Sequence, residues 1–213
     1  MIPANSMVFA IDDDASVRKG LTRLLRSAGY KSEIFGLASD FLEREQHPGP
    51  ACVIVDLRMP GINGMDLQKT LIQRGREEQL VFITGHGDIS MCAQAMKAGA
   101  IDFLTKPFRA NELLECVDRA LARAAEQRRR GVEKTEARRL LDLLTPREFE
   151  VMQLVITGLL NKQIAAELGT AEKTIKVHRG RVMKKFGITS VAELVRLVET
   201  AQIPSVKWRE TKV

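Results

Sequence analysis

The run Ala51-Cys52-Val53-Ile54-Val55-Asp56 decides the fold of this chain. Its first five residues are β-rich and nearly all apolar, without polar alternation. Such a run reads as a strand buried on both faces, as in a parallel sheet. A single carboxylate, Asp56, follows it. Leu80–Ile83 has the same character and is followed by Thr84. Shorter β-rich runs lie at Met7–Ile11, Ile34–Phe35 and Phe103–Leu104. Between them the period changes. Val17, Leu21, Leu24 and Leu25 share one helical face ahead of Gly29. Leu67, Leu71 and Ile72 do so ahead of Gly75, and Met91, Ala95 and Met96 ahead of Gly99. Strands alternating with helices predict an α/β unit with a doubly wound, five-stranded parallel sheet. A ligand site in such a sheet lies beyond the carboxyl ends of the strands.

Beyond Phe108 the strand signals stop. Leu113, Leu114, Val117, Leu121 and Ala124 are helically spaced. Arg128, Arg129 and Arg130 follow, with Gly131 as a candidate break. This segment reads as one long amphipathic helix joining two modules. From Thr145 every pattern is helical. Thr145-Pro146-Arg147-Glu148 combines an N-cap, a proline at the first helical position and a glutamate placed for a capping box. Asn161 is expected to cap a helix over Lys162–Leu168, Thr170 a third ending at Phe186, and Ser190 a fourth containing Val191, Leu194, Val195, Leu197 and Val198. The expected divisions are 5–120, a helical linker 121–141, a four-helix module 142–203, and a polar tail 204–213 carrying the sole tryptophan, Trp208.

The charge follows the same division. Residues 1–108 hold 12 Lys/Arg and 13 Asp/Glu, whereas residues 145–213 hold 12 and 7, so most of the net +6 sits in the C-terminal third. A basic module attached to a neutral one points to nucleic acid or an anionic membrane as its partner. No apolar run approaches the ~18 residues of a membrane span. The N-terminal apolar stretch runs into Asp12, Asp13 and Asp14, unlike a signal peptide. Cys52, Cys92 and Cys116 are too scattered for a disulfide framework or a CxxC metal site. A reducing, cytoplasmic setting is expected, without membrane attachment.

The polar residues of the first module collect at strand ends. Asp12 and Asp13 follow the first strand, Asp56 the third, Thr84 the fourth and Lys106 the fifth. Taken singly, each is an ordinary turn or cap residue. Together they place three carboxylates, a hydroxyl and an ammonium on one rim. Clustered carboxylates repel unless a cation joins them, and an all-oxygen site favours Mg²⁺. A carboxylate can attack phosphorus. The charge that spreads over the phosphoryl oxygens can be met by Mg²⁺ and Lys106. Asp56, central and singly placed, is the best nucleophile.

The stretches Ile11-Asp12-Asp13-Asp14, Val55-Asp56-Leu57-Arg58-Met59-Pro60-Gly61-Ile62-Asn63-Gly64, Ile83-Thr84-Gly85-His86-Gly87-Asp88 and Lys106-Pro107-Phe108 resemble a two-component receiver domain. The resemblance implies a flavodoxin-like fold with the strand order 2-1-3-4-5, and phosphorylation of Asp56 by a partner sensor histidine kinase. It implies Mg²⁺ held by Asp13, Asp56 and the backbone carbonyl of Arg58, with Asp12 helping through water. It further implies that Thr84 and Phe103 form a switch pair and that the Lys106–Pro107 bond is cis.

In the second module, Lys173 through Lys185 hold six Lys/Arg and no acid, while Ile175, Val182, Met183 and Phe186 form an apolar seam. With the preceding helix and the tight turn at Gly169 they read as a helix-turn-helix, whose second helix enters the major groove. Leu144-Thr145-Pro146-Arg147-Glu148, Asn161-Lys162-Gln163-Ile164-Ala165 and Thr174-Ile175-Lys176-Val177-His178 resemble the FixJ/NarL (LuxR-type) DNA-binding domain. Carried over, Lys176 and Val177 face bases. Lys173, Thr174, Arg181, Lys184 and Lys185 are candidates for backbone or base contact, and the last helix supplies a dimer contact. Gly180 departs from relatives with a larger side chain, so their target sequence does not transfer. His178 is expected to pack rather than bind metal. The combination implies a transcriptional response regulator that dimerises on phosphorylation and binds double-stranded promoter DNA, leaving room for a contact with RNA polymerase. A competing reading is an aspartyl-phosphate enzyme of the haloacid-dehalogenase type. That chemistry wants an acid two residues after the nucleophile, where this chain has Arg58. A third reading, a module that binds partners without DNA, leaves the basic helix unexplained.

Overall fold

The computed structural model describes residues 2–85 and 89–203. His86, Gly87 and Asp88 of the expected motif, and the tail with Trp208, lie outside them. The chain divides into two compact units, residues 1–128 and 129–213.

In the first unit, β1 (Met7–Ile11), α1 (Ala15–Ser27), β2 (Ser32–Phe35), α2 (Ala38–Glu43), β3 (Ala51–Asp56), α3 (Gly64–Gln73), β4 (Gln79–Thr84), α4 (Ile89–Lys97) and β5 (Asp102–Thr105) alternate, and α5 (Ala110–Asp142) follows. All pairings are parallel, as the alternation predicts, and the sheet order is β2-β1-β3-β4-β5, as the receiver resemblance implies. Side chains alternate across the sheet. Phe9, Ile11, Val53, Val55, Leu80 and Phe82 pack on one face with Phe41, Leu67, Leu71 and Ala95. Val8, Ala10, Cys52, Ile54, Val81 and Ile83 pack on the other with Leu21, Leu25, Leu113, Val117 and Leu121. Helices cover both faces, so β3 and β4 are buried throughout and show no polar alternation.

The six-residue α2 has no counterpart in the sequence reading. It is too short to show a helical period, although Ala38, Phe41 and Leu42 are buried. Helix α5 spans 33 residues, the one long helix read from the sequence, and passes unbroken through Gly131, the candidate break. Its N-terminal part carries Leu113, Val117, Leu121 and Ala124 into the first unit's core, while Ala137 and Leu141 enter the second's.

In the second unit, α6 (Pro146–Ile156), α7 (Asn161–Glu167), α8 (Glu172–Phe186) and α9 (Val191–Ala201) surround one core. The capping box at Thr145 forms: its hydroxyl accepts from the Glu148 N–H at 3.3 Å, and the Glu148 carboxylate accepts from the Thr145 N–H at 2.9 Å. Ser190 caps α9 by accepting from the Glu193 N–H. Two caps fall elsewhere than expected. Helix α7 already includes Asn161, and Leu160 occupies the cap, with its N–H held by the Gln163 side chain at 2.8 Å. Thr170 is not the cap of α8, because it closes α7. The Thr170 N–H reaches the Ala165 carbonyl at 2.9 Å over Gly169, whose φ of +60° suits glycine. The cap position falls to Ala171.

Candidate functional site

Register builds the rim of the sheet. Ile11 pairs with Val55, so Asp12 and Asp56 are the next residues along two adjacent parallel strands. Thr84 pairs with Thr105, so Lys106 leaves β5 beside Thr84, and its N–H donates to the Thr84 carbonyl at 2.7 Å. The Lys106–Pro107 peptide is cis. Carboxylate oxygens of Asp12, Asp13 and Asp56 lie within 4.8 Å of one another. Asp12 is fully buried and Asp56 nearly so, whereas Asp13 is exposed. The Lys106 ammonium bridges the buried pair, 2.6 Å from Asp12 Oδ2 and 2.7 Å from Asp56 Oδ2. The other Asp56 oxygen accepts from the Arg58 N–H at 3.0 Å.

Burial pushes the Asp12 carboxyl up from its usual range, and its bonds to Lys106 and the Asp14 N–H only partly offset this. Burial pulls the Lys106 ammonium down, but its hydrogen bonds to Asp12 and Asp56 outweigh this and leave it raised, so it stays charged. Three carboxylates against one ammonium leave an excess of negative charge, with the exposed Asp13 as the open side. Hard oxygen donors with that excess suit a divalent cation such as Mg²⁺.

The structure therefore brings together Asp12, Asp13, Asp56 and Lys106, with Thr84 buried at the same rim. Phe103, the expected switch partner, lies on the edge strand β5 and is 37% exposed. The third residue of the Asp run does what an isolated Asp does: Asp14 caps α1 by accepting from the Ser16 N–H at 2.7 Å.

Sequence reasoning missed two residues of this pocket. Arg18, on the first turns of α1, donates from Nη1 to the carbonyls of Asp12 at 2.7 Å and Asp13 at 2.8 Å, fixing the acidic loop from behind. No sequence signal marks a guanidinium that binds backbone. Gly64 opens α3 against the Asp56 carbonyl, where a Cβ would stand 2.6 Å from that oxygen. Its sequence signal is its place at the end of the receiver-like stretch Val55–Gly64, which by itself assigns it no role.

In the second unit α8 buries Ile175, Val182 and Phe186 and turns Lys173, Lys176, Val177, Gly180, Arg181 and Lys184 outward. These outward positions recur at three- and four-residue steps, so they form one face. Thr174 is half-buried at its edge. Val177 is 46% exposed, an apolar side chain among cations. Two other basic side chains of the helix are engaged within the bundle. Arg179 donates to Asn161 Oδ1 on α7 at 3.2 Å, and the Lys185 ammonium lies 2.6 Å from Glu148 Oε2. Among the described residues, Lys185 thus differs from the other expected contact cations in having its charge already matched by protein. His178 is half-buried, and the cluster of possible metal ligands among the described residues is the aspartate group of the first unit. No described helix is long and apolar enough to cross a membrane.

Comparison with known proteins matches a family to each unit. Residues 8–118 match the response regulator receiver domain family, and residues 142–198 match the bacterial regulatory proteins of the luxR family. Nodulation protein W of Bradyrhizobium diazoefficiens is 45% identical over 210 residues, covering 98% of this chain and 92% of that protein. The solved structure of the response regulator StyR is 49% identical and superposes with a TM-score of 0.80 over 92% of this chain and 99% of that one. Full-length FixJ from B. japonicum is 37% identical, with a TM-score of 0.55 over 92% and 96% of the two chains. A receiver unit with an acidic rim, followed by a helix-turn-helix unit with a cationic face, places this chain in the family of two-component response regulators that control transcription through a LuxR-type DNA-binding domain.

Proposed function

We propose that Asp56 is the phosphoacceptor, that a sensor histidine kinase supplies the phosphoryl group, and that the modified protein dimerises and binds promoter DNA through α8. The observation that carries this reading is the bridging of buried Asp12 and Asp56 by Lys106 at the carboxyl rim of the sheet. Asp13 and Asp56, the Arg58 carbonyl, and Asp12 through water are the groups that would hold Mg²⁺. When bound, the ion neutralises charge on the phosphoryl oxygens. Asp56 Oδ supplies the nucleophile. Lys106, already charged and in contact, can follow the added negative charge, which is about 1.5–2 units at neutral pH. Thr84 offers a hydroxyl to the same oxygens. Movement of Thr84 towards the phosphoryl group leaves space for Phe103, and the exposed ring gains apolar burial by entering it.

Lys173, Lys176, Arg181 and Lys184 are proposed to meet phosphates and base edges, with Thr174 and Val177 beside them. A dimer contact through α9 falls to its outer residues, since Leu194 and Val198 are spent on the core. Arg58 stands where an aspartyl-phosphate hydrolase places its acid, and its side chain is exposed, which favours a regulator over a turnover enzyme. A cytoplasmic location fits both partners. The test is incubation with acetyl phosphate and MgCl₂, followed by phosphate-affinity electrophoresis. Wild type should gain one acid-labile phosphoryl group and Asp56→Asn none. Equal labelling of the variant removes Asp56 from this role.

A further inference from the structure

Lys185 occupies the last turn of α8 and stands among the expected DNA-contact cations, yet its surroundings differ from theirs. Its Nζ donates to Glu148 Oε2 at 2.6 Å and to the Leu143 carbonyl at 2.9 Å. The Glu148 side chain is 3% exposed and that of Lys185 is 34% exposed. Glu148 is also the acceptor for the Thr145 N–H and the Thr145 hydroxyl, at 2.9 and 3.0 Å. The Lys185 bond leads the causes that pull the Glu148 carboxyl down to about 2, so the pair is charged at neutral pH. One ammonium therefore joins three pieces of the second unit: the chain leaving α5, the capping box that starts α6, and the end of α8. A buried carboxylate with three hydrogen bonds leaves little freedom to the groups that share it. Lys184, one residue away, has no such partner among the described residues and lies on the outward face.

We propose that Lys185 is a positioning residue, which with Glu148 fixes the recognition helix against the α5–α6 junction and leaves DNA contact to the outward cations. This rests on the reading of α8 as the DNA-binding helix. The two roles predict opposite signs for one substitution. If Lys185 positions α8, Glu148→Gln slackens the tie and weakens DNA binding. If Lys185 instead seeks DNA phosphates, Glu148→Gln frees its ammonium and strengthens binding.

The test uses the full chain and a mixed-sequence 30-base-pair duplex. Affinity is measured by fluorescence anisotropy across a series of KCl concentrations, below the melting temperature of every variant. Wild-type binding that weakens with salt supports the reading of α8, and its absence overturns that reading and the proposal together. Given wild-type binding, Glu148→Gln and Lys185→Met should each weaken it about tenfold, the scale of one lost charged hydrogen bond. The double variant should be no weaker than either single one, because both cut the same tie. Lys184→Met should instead lower the salt slope by about 0.9, the signature of one lost phosphate contact. Tighter binding by Glu148→Gln, or affinity unchanged in both single variants, overturns the proposal while leaving the reading of α8 intact. Wild-type protein supplies a check that does not depend on variant folding. The Lys185 ammonium should give a slowly exchanging ¹⁵N–¹H signal that stays in place on duplex addition, and a shift as large as that of Lys184 also overturns the proposal.

Discussion

Replacing Gly64 by alanine adds one methyl group at a point without room for it. The new Cβ would stand 2.6 Å from the Asp56 carbonyl oxygen, 3.0 Å from Phe82 Cε1 and 3.2 Å from Leu57 Cα. These neighbours are main chain and a ring fully buried in the core, so none can swing aside. To restore an ordinary contact of about 3.5 Å, the start of α3 must retreat from β3 by roughly 1 Å. Overpacking of this kind costs about 1–3 kcal/mol. The retreat also disturbs the Leu57–Arg58 segment, whose N–H groups bind the Ile83 carbonyl and the Asp56 carboxylate. Gly180→Ala is the matched control. It lies mid-helix in α8, where a Cβ meets nothing within 4 Å, and alanine there should stabilise the second unit by about 1 kcal/mol. Native-state hydrogen exchange with mass spectrometry reads the two units separately in one chain. Amides of β3 should lose protection in Gly64→Ala, and those of α8 should gain it in Gly180→Ala. Unchanged protection of β3 would refute the close approach from which the cost is derived.

Three further outcomes follow from the charged groups. Lys106→Met removes the ammonium between Asp12 and Asp56, so calorimetric titration with MgCl₂ should show affinity raised by at least about tenfold, with slower labelling by acetyl phosphate; equal or weaker Mg²⁺ binding contradicts the assigned charge balance. Glu148 is held at about 2 against an ordinary 4.5, so its ionised form stabilises the second unit above pH 4.5, and that contribution, at most about 3 kcal/mol, is lost as the pH falls towards 2. The gap in stability between wild type and Glu148→Gln should therefore close across that interval, and a gap independent of pH counts against the ion pair. Lys176→Ala should weaken binding to the target operator by about 1–3 kcal/mol in an anisotropy assay, and unchanged affinity strikes it from the contact face.

Both architectures were legible in the sequence for the same reason: period and placement are local properties. Ala51–Val55 and Leu80–Ile83 lack polar alternation because helices cover both faces of the sheet, and that absence is visible without coordinates. The residues at the strand ends share a rim because parallel strands with helical crossovers all point one way. Thr145-Pro146-Arg147-Glu148 fixed the start of α6 because a capping box is closed within four residues. The failures are equally physical. Thr170 and Asn161 are good capping types, but the turn at Gly169 consumes Thr170, and α7 starts one residue early. Helix α2 is too short to show a period.

Amino-acid order alone determined which residues are available at the rim and on the basic helix, since strand period, cap chemistry and charge depend on near neighbours. Tertiary structure decided which of those charges are free. Lys106 is bound between carboxylates 94 and 50 residues away, and Lys185 by a carboxylate 37 residues away, while Lys184 faces outward. Adjacent lysines look alike in sequence, but a side chain's direction on the helix and the buried acid it meets depend on contacts that only the folded chain brings together.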